Sequence, residues 1–208
     1  MPTQTFFNLP LEKKNQIIEA AVDEFFEKGY EGMSIAKLIA KAGIPRGSFY
    51  QYFEDKNDIY KYLILQVVGE RKHQHSNQTL DLSKLSFVEV IRNLFASGIE
   101  FYKKEPKLAT ISTEFLRIKD PALKNDIFGD SQKISNDFFR SLIEERKATG
   151  ELDREIDGDM LVYLINSINL SFAEYFLEHA SFDSENAELI GALDKLLYIL
   201  KNGLLSKE

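Results

Sequence analysis

Apolar side chains recur at spacings of three and four along almost the whole chain, the periodicity of helices buried on one side. Over residues 11–28, Ile17, Ile18, Ala21, Val22, Phe25 and Phe26 form one stripe, with Lys13, Lys14, Glu19, Asp23, Glu24 and Glu27 mostly off it. Gly29 follows as a candidate C-terminal cap. Ser34 stands where an N-cap belongs, before a short helix that turns Ile35, Leu38, Ile39 and Ala42 inward and ends at Gly43. Pro45 opens a second short helix reaching about Tyr52, so two short helices are joined by a tight Ala42-Gly43-Ile44 turn. Asp55 caps a longer helix to about Asn77, whose polar end, residues 71–78, reads as a fade into loop. Further helices are predicted at about 83–104, stopped by Pro106, then at 106–117, 120–148, 157–179 and 185–204, with Gly129 marking a candidate interruption of the third. Nothing alternates as a strand does and nothing repeats, so the fold class is all-α, its second half a helical bundle.

Composition narrows the functional classes. With 44% apolar and 28% charged residues among 208, the chain has the balance of a soluble globular protein. The absence of cysteine removes disulfides, zinc–thiolate sites, iron–sulfur clusters and cysteine nucleophiles. Residues 1–10 lack a basic segment before an apolar run, and no stretch approaches the roughly 20 apolar residues that span a bilayer; a cytoplasmic protein without a membrane partner is expected. A net charge of −7 argues against a chain that coats nucleic acid over its whole surface, though not against a local basic patch.

Such a patch coincides with the short helices. A pair of short helices around a glycine-containing turn, packed on a preceding helix, is the sequence form of a helix-turn-helix whose second helix reads DNA. On a helical wheel Pro45, Phe49 and Phe53 share one side and are expected to pack on a Phe25/Ile39 core, turning Arg46, Gly47, Ser48, Tyr50 and Gln51 outward. Residues 32–53 hold three cations, Lys37, Lys41 and Arg46, and no carboxylate. Arg46 suits guanine O6 and N7, Gln51 suits adenine, and Ser48 suits a base or a phosphate. Gly47 removes a side chain where the helix approaches the DNA backbone, Tyr50 and Tyr52 offer hydroxyls to phosphates, and Lys56 adds a point charge. Composition alone fits a DNA reader and a solvated helical corner equally.

Ala20-Ala21 to Phe25, the run 29–35 (Gly-Tyr-Glu-Gly-Met-Ser-Ile), Ala42-Gly43-Ile44, and the run 47–53 (Gly-Ser-Phe-Tyr-Gln-Tyr-Phe) with Lys56 closely resemble the TetR/AcrR-type family of bacterial repressors, over about residues 10–60. The resemblance implies an all-helical homodimer divided into a three-helix DNA-binding domain (1–54), a connecting helix (55–78) and a C-terminal domain for dimerisation and small-molecule binding (79–208). It also implies DNA contacts from Ser34 at the start of the first short helix, from Arg46, Ser48, Tyr50, Gln51 and Tyr52 on the second, and from Lys56. Some relatives carry an arginine early in the first short helix, where this chain has Ala36.

The C-terminal two thirds match no ligand-specific motif. Residues 157–179 are apolar nearly all the way round, which demands cover on two sides, by the chain's own bundle and by a second subunit. Leu189, Ile190, Leu193, Leu196, Leu197, Leu200 and Leu204 offer a stripe for the same seam; the alternative is a monomer core for both helices. Aromatic and polar residues of this region, among them Phe95, Tyr102, Glu114, Phe115, Phe138, Tyr163 and Asn166, are candidates to line a pocket for a largely apolar effector; the alternatives are packed core for the aromatics and, for the polar residues, bonds to one another or across the dimer seam. His73 and His75, at i and i+2, point to different helix faces and His179 stands alone, so no metal is expected. Glu144-Glu145 lie in a solvated charged run, and no phosphate loop, nucleophile triad or nucleotide fingerprint occurs, so no cofactor and no catalysis are expected. The expected function is that of a ligand-responsive repressor on a double-stranded DNA operator. The alternatives are an effector-independent DNA-binding protein of the same fold and a helical-bundle enzyme.

Overall fold

The computed structural model describes residues 1–75, 84–179 and 186–203. Its elements are helices: α1 (Gln4–Phe7), α2 (Leu11–Gly32), α3 (Ile35–Lys41), α4 (Arg46–Tyr52), α5 (Lys56–Tyr62), a π-helical turn (Leu63–Val67), α6 (Val68–His75), α7 (Phe87–Lys104), α8 (Pro106–Arg117), α9 (Pro121–Ala148), α10 (Gly158–His179) and α11 (Asn186–Asn202). The predicted helices are all present, and α1 is added to them. Side-chain caps set several starts. Asp55 accepts from the Asp58 amide at 3.0 Å, Asp120 from Ala122 at 2.9 Å, and Asp157 from Met160 at 2.9 Å. Ser86 and Glu89 cap one another, with the Ser86 amide donating to Glu89 Oε2 at 2.8 Å and the Glu89 amide to Ser86 Oγ at 3.3 Å; α7 therefore begins at Phe87 rather than near 83. α9 runs unbroken through Gly129, a helix-interior glycine costing only about 1 kcal/mol.

The chain forms two compact units, one of Met1–Gln74 with Glu105–Ser131, the other of His75–Lys104 with Gln132–Glu208. Compactness thus places α8 and the first part of α9 with the N-terminal helices, whereas the sequence grouped them with the bundle. In the first unit α2 packs along α3 and α8, and α1 packs on α4. Ile17, Phe25, Leu38, Phe49, Phe53, Ile59, Tyr60, Leu63, Ile111 and Phe115 form its nearly solvent-free interior. The buried side of α2 is Ile17, Ala20, Ala21, Val22, Glu24 and Phe25. Ile18 is half-buried and Phe26 is 40% exposed, because the stripe turns toward positions 20 and 24 and away from 18 and 26. At Gly29 the backbone of α2 leaves helical geometry with φ 65° and ψ 177°, a region open essentially to glycine, before one last turn to Gly32. The helix predicted from Asp55 begins there, its middle, Leu63–Val67, winds as a π turn with Leu63, Ile64 and Val67 buried, and its predicted end near residue 77 lies outside the described residues.

In the second unit Phe87, Val90, Ile91, Phe95 and Ile99 of α7 meet Leu142 and Ile143 of α9, Val162 and Ile165 of α10, and Leu193 and Leu197 of α11. This corrects one expectation. Leu193 and Leu197, read as seam residues, are 0% and 5% exposed inside their own bundle, since α11 spends its leucine stripe on α7. On α10 and α11 the exposed large apolar side chains among the described residues are Met160, Tyr163, Leu164, Tyr175, Tyr198, Ile199 and Leu200, of which Leu200 belongs to the predicted stripe. Leu204 and the side chains of Leu189, His73, His75 and His179 lie outside what the structure describes.

Candidate nucleic-acid interface

The turn between α3 and α4 closes with a Schellman arrangement. The Gly43 amide donates to the Ala40 carbonyl at 3.3 Å and the Ile44 amide to the Ile39 carbonyl at 3.2 Å, with Gly43 at φ 56°. Ala42 and Ile44 are buried on either side of it, which fixes the departure of α4. Pro45 is the N-cap of α4 rather than its first residue and is exposed, not packed on the core as expected; Ile44 takes that inward place. Phe49 and Phe53, both 0% exposed, anchor the inner side of the helix. Arg46, Gly47, Tyr50 and Gln51 are left exposed and Ser48 half-exposed, so the predicted reading residues share one outward surface.

Two predicted contributors are placed differently. Tyr52 is only 8% exposed, its ring centroid 6.2 Å from that of Phe6 and its carbonyl bonded to the Thr3 amide, so it belongs to the core rather than to the outward set. Lys41, one of the three local cations, is held by carboxylates of α2. Its Nζ lies 2.9 Å from Glu27 Oε1 and 3.4 Å from Glu24 Oε2, which raises the Lys41 pKa, while Lys41 lowers that of Glu27. The basic character of the surface therefore rests on Lys37 and Arg46, both exposed.

Sequence reasoning missed Glu24. It is completely buried, and its Oε1 accepts the Ser34 amide at 3.3 Å, tying the start of α3 to α2. Its position three and four residues after Ala21 and Ala20 put it on the buried stripe from the outset. Ser34 takes the N-cap position of α3, but its side chain makes no cap bond to that helix.

Lys56, at the first turn of α5, is half-buried; its Nζ donates to the Tyr30 carbonyl at 3.2 Å and sits 4.4 Å from the centroid of the Tyr30 ring. Tyr30 also donates its hydroxyl to Asn57 Oδ1. Burial raises the Tyr30 pKa, helped by Glu31, Asp55, Asp120 and Asp126. Beside Lys56 lies an open depression of about 460 Å³ whose polar lining includes Tyr30, Glu31, Asn57, Asp120 and Asp126. Among the described residues no three His, Asp or Glu side chains converge as metal ligands, and no helix is long and apolar enough to cross a membrane.

The seven predicted ligand residues are divided between the two units. Glu114 and Phe115 lie on α8 in the first unit. Phe115 is 2% exposed against Tyr60 and Phe128, while Glu114 is half-buried near Gly29, its pKa raised by burial and moderated by Arg117. In the second unit Phe95 packs edge-on to Phe172 at 5.6 Å, Tyr102 is half-buried against the same core, and Asn166 donates to Asn136 Oδ1 at 3.2 Å. Phe138 is 40% and Tyr163 68% exposed.

Residues 17–63, which hold most of α2 and all of α3, α4 and α5, match the family model of bacterial regulatory proteins of the tetR family. An HTH-type transcriptional regulator of Bacillus subtilis (strain 168), YdgC, is 33% identical over 78% of this chain and 82% of its own length. The chain belongs to the tetR family. The crystal structure of a TetR family transcriptional regulator from Chloroflexus aurantiacus J-10-fl is 31% identical and covers 100% of both chains with a TM-score of 0.73. The crystal structure of FadR from Bacillus subtilis, in complex with stearoyl-CoA, shares the fold at a TM-score of 0.69 and 19% identity, covering 92% of this chain and 99% of its own. Within the family match, the helix-turn-helix is formed by α3 and α4 packed on α2.

Proposed function

We propose that this tetR-family protein is a ligand-responsive repressor that binds a near-palindromic operator as a homodimer and leaves it when a small effector reshapes the C-terminal helices. The observation that carries the reading is the outward surface of α4, where Arg46, Gly47, Tyr50 and Gln51 are exposed on a helix anchored by Phe49 and Phe53. Arg46 and Gln51 read base edges in the major groove, Ser34, Lys37, Ser48 and Tyr50 meet phosphate or sugar, and Lys56 adds a positioning charge. The helices α2–α4 bind DNA, the helix after Asp55 connects, and the helices of the second unit dimerise and take the effector.

The exposed apolar residues of α10 and α11 support the dimer. Tyr163 and Tyr198 are each 68% exposed, and a second copy of the same two helices gives them a four-helix interface. We assign Tyr163 to this seam rather than to a pocket. Two reading helices held by one rigid seam require half-sites about one helical turn apart.

The effector is an amphipathic acyl compound of the kind FadR of Bacillus subtilis holds, stearoyl-CoA. Phe95 and Tyr102, packed against the bundle core with Phe172, are the apolar surface an acyl chain would enter, and Asn166 is a polar anchor. To move operator occupancy from nearly full to nearly empty, the effector must prefer the released state by about 5.5 kcal/mol, which two sites per dimer share.

Selection of bound duplexes from a random pool, followed by titration of the complex with acyl-CoAs of graded chain length, tests the reading. Enrichment of near-palindromes and release by long-chain acyl-CoA at concentrations where free coenzyme A does nothing is expected. No enriched sequence would sink the DNA-reading assignment. Tight acyl-CoA binding that leaves operator affinity unchanged would make the protein an effector-independent regulator.

A further inference from the structure

The segment before the tetR-family match is tied to α4 at the end opposite Arg46. Thr3 is the N-cap residue of α1, yet its hydroxyl makes no cap to that helix. It donates instead to the Gln51 carbonyl at 2.6 Å, while the Thr3 amide donates to the Tyr52 carbonyl at 2.9 Å. Both acceptors lie in the last turn of α4, where helix carbonyls have no intrahelical partner. α4 has only seven residues and ends at Phe53 in extended conformation, without a glycine cap of its own. Three residues on, Phe6 is 0% exposed, with ring centroids 4.9 Å from Phe53, 5.3 Å from Tyr62 of α5 and 6.2 Å from Tyr52.

We infer that residues 2–8 form a positioning arm for the reading helix: Thr3 holds the C-terminal turn of α4 in place, and Phe6 locks that turn to the connecting helix. The inference rests on the reading that α4 meets the bases. A helix this short draws little stability from its own hydrogen bonds, so its orientation is set by what grips its ends. Ile44 and the Gly43 turn grip the first end, and the arm grips the second. Gln51 is the point where this matters most, because the residue whose side chain faces the base has its carbonyl bonded to Thr3. Phe6, between Tyr52, Phe53 and Tyr62, also makes α4 and α5 one body, so that a swing of the connecting helix carries the reader with it.

Losing the arm therefore relaxes discrimination more than it weakens binding in general. The experiment compares operator and random-sequence affinities, at one salt concentration and below every melting transition, for the wild type, Thr3→Val, Thr3→Ser, a chain lacking residues 2–8, and Arg46→Ala. Loss of one hydrogen bond, a net effect near 1 kcal/mol, corresponds to about a fivefold fall in the operator-to-random ratio for Thr3→Val, with random-sequence affinity unchanged. Thr3→Ser, which keeps the hydroxyl, restores the ratio, and the truncated chain falls further. The fall is expected to be greatest at the base position that Gln51→Ala also relaxes. If Arg46→Ala lowers the ratio while Thr3→Val and the truncated chain retain it, the arm plays no positioning part. If Arg46→Ala itself leaves the ratio intact, the assignment of α4 as reader fails first, and the arm inference with it.

Discussion

Gly47→Ala separates what the fold asks of α4 from what DNA asks of it. Gly47 is the second residue of α4, exposed, with an ordinary helical φ, and no atom lies within 4 Å of the place a Cβ would take. Alanine there meets no clash and removes backbone freedom from the unfolded chain, a gain of about 0.5–1 kcal/mol, or roughly 1–4 °C in melting temperature for a protein of this size. On DNA the sign reverses. Gly47 and Gln51 are one turn apart on the outward surface, flanked by Arg46 and Tyr50, so a methyl group at 47 enters the space the DNA backbone needs. Backing the helix away by on the order of 1 Å lengthens the bonds of Arg46 and Gln51, each worth about 1–3 kcal/mol of discrimination, so operator affinity falls about tenfold to a hundredfold. Thermal denaturation by circular dichroism and fluorescence anisotropy on labelled operator, at matched salt, read the two effects independently. A stabilised variant with undiminished operator affinity would refute close approach at Gly47 and with it the docking of this side of α4.

The two sides of α11 make opposite predictions: Leu193→Ala destabilises the bundle by about 2–5 kcal/mol in urea titration, whereas Tyr198→Glu leaves the fold intact and yields monomers by light scattering. Arg46→Ala costs about 1–3 kcal/mol and relaxes one base position in a binding selection, while Lys56→Ala weakens all sequences alike and lowers the salt slope by about one. Burial raises the Glu114 pKa, so the folded protein keeps that proton to higher pH than the unfolded chain does. Stability is then lost as pH rises from the ordinary carboxylate range through the raised value, and Glu114→Gln stabilises at neutral pH but not in acid, as urea titrations at both pH values will report.

Where one local rule decided the outcome, the sequence was enough. Gly43 and Asp55 ended and began helices because a left-handed turn and a carboxylate cap are local devices, and the Phe49/Phe53 spacing oriented α4 before any contact was known. What stayed hidden depended on partners distant in the chain. Lys41 reads as a free cation until α2 brings Glu24 and Glu27 beside it, and Tyr52 reads as outward until Phe6 covers it. Leu193 and Leu197 form as good a stripe for a partner subunit as for α7, and periodicity alone does not say which. Phe95 and Phe115 are alike in sequence, yet one packs in each unit. The π turn at Leu63–Val67 has no signature in a residue pattern that an α-helix accommodates as well.

Under the proposed function, the placement of α8 in the first unit bears on how an effector's signal would reach the outward surface of α4. A connecting helix acting alone as a lever would have to carry every displacement along α6, through the π turn, to Lys56. α8 offers a shorter way. It packs along α2, the Tyr60 hydroxyl on α5 donates to the Ile111 carbonyl at 3.5 Å, and Glu114 lies near Gly29, where α2 leaves helical geometry. Tyr30 follows Gly29 directly, its ring 4.9 Å from that of Tyr60, and it holds Lys56 by carbonyl and ring face and Asn57 by its hydroxyl. Under that proposal, a shift of α8 by a fraction of a turn would reach Lys56 through the groups just named, because a packed interior transmits displacement instead of absorbing it. Gly29, the residue of α2 whose backbone leaves helical geometry, stands on that route.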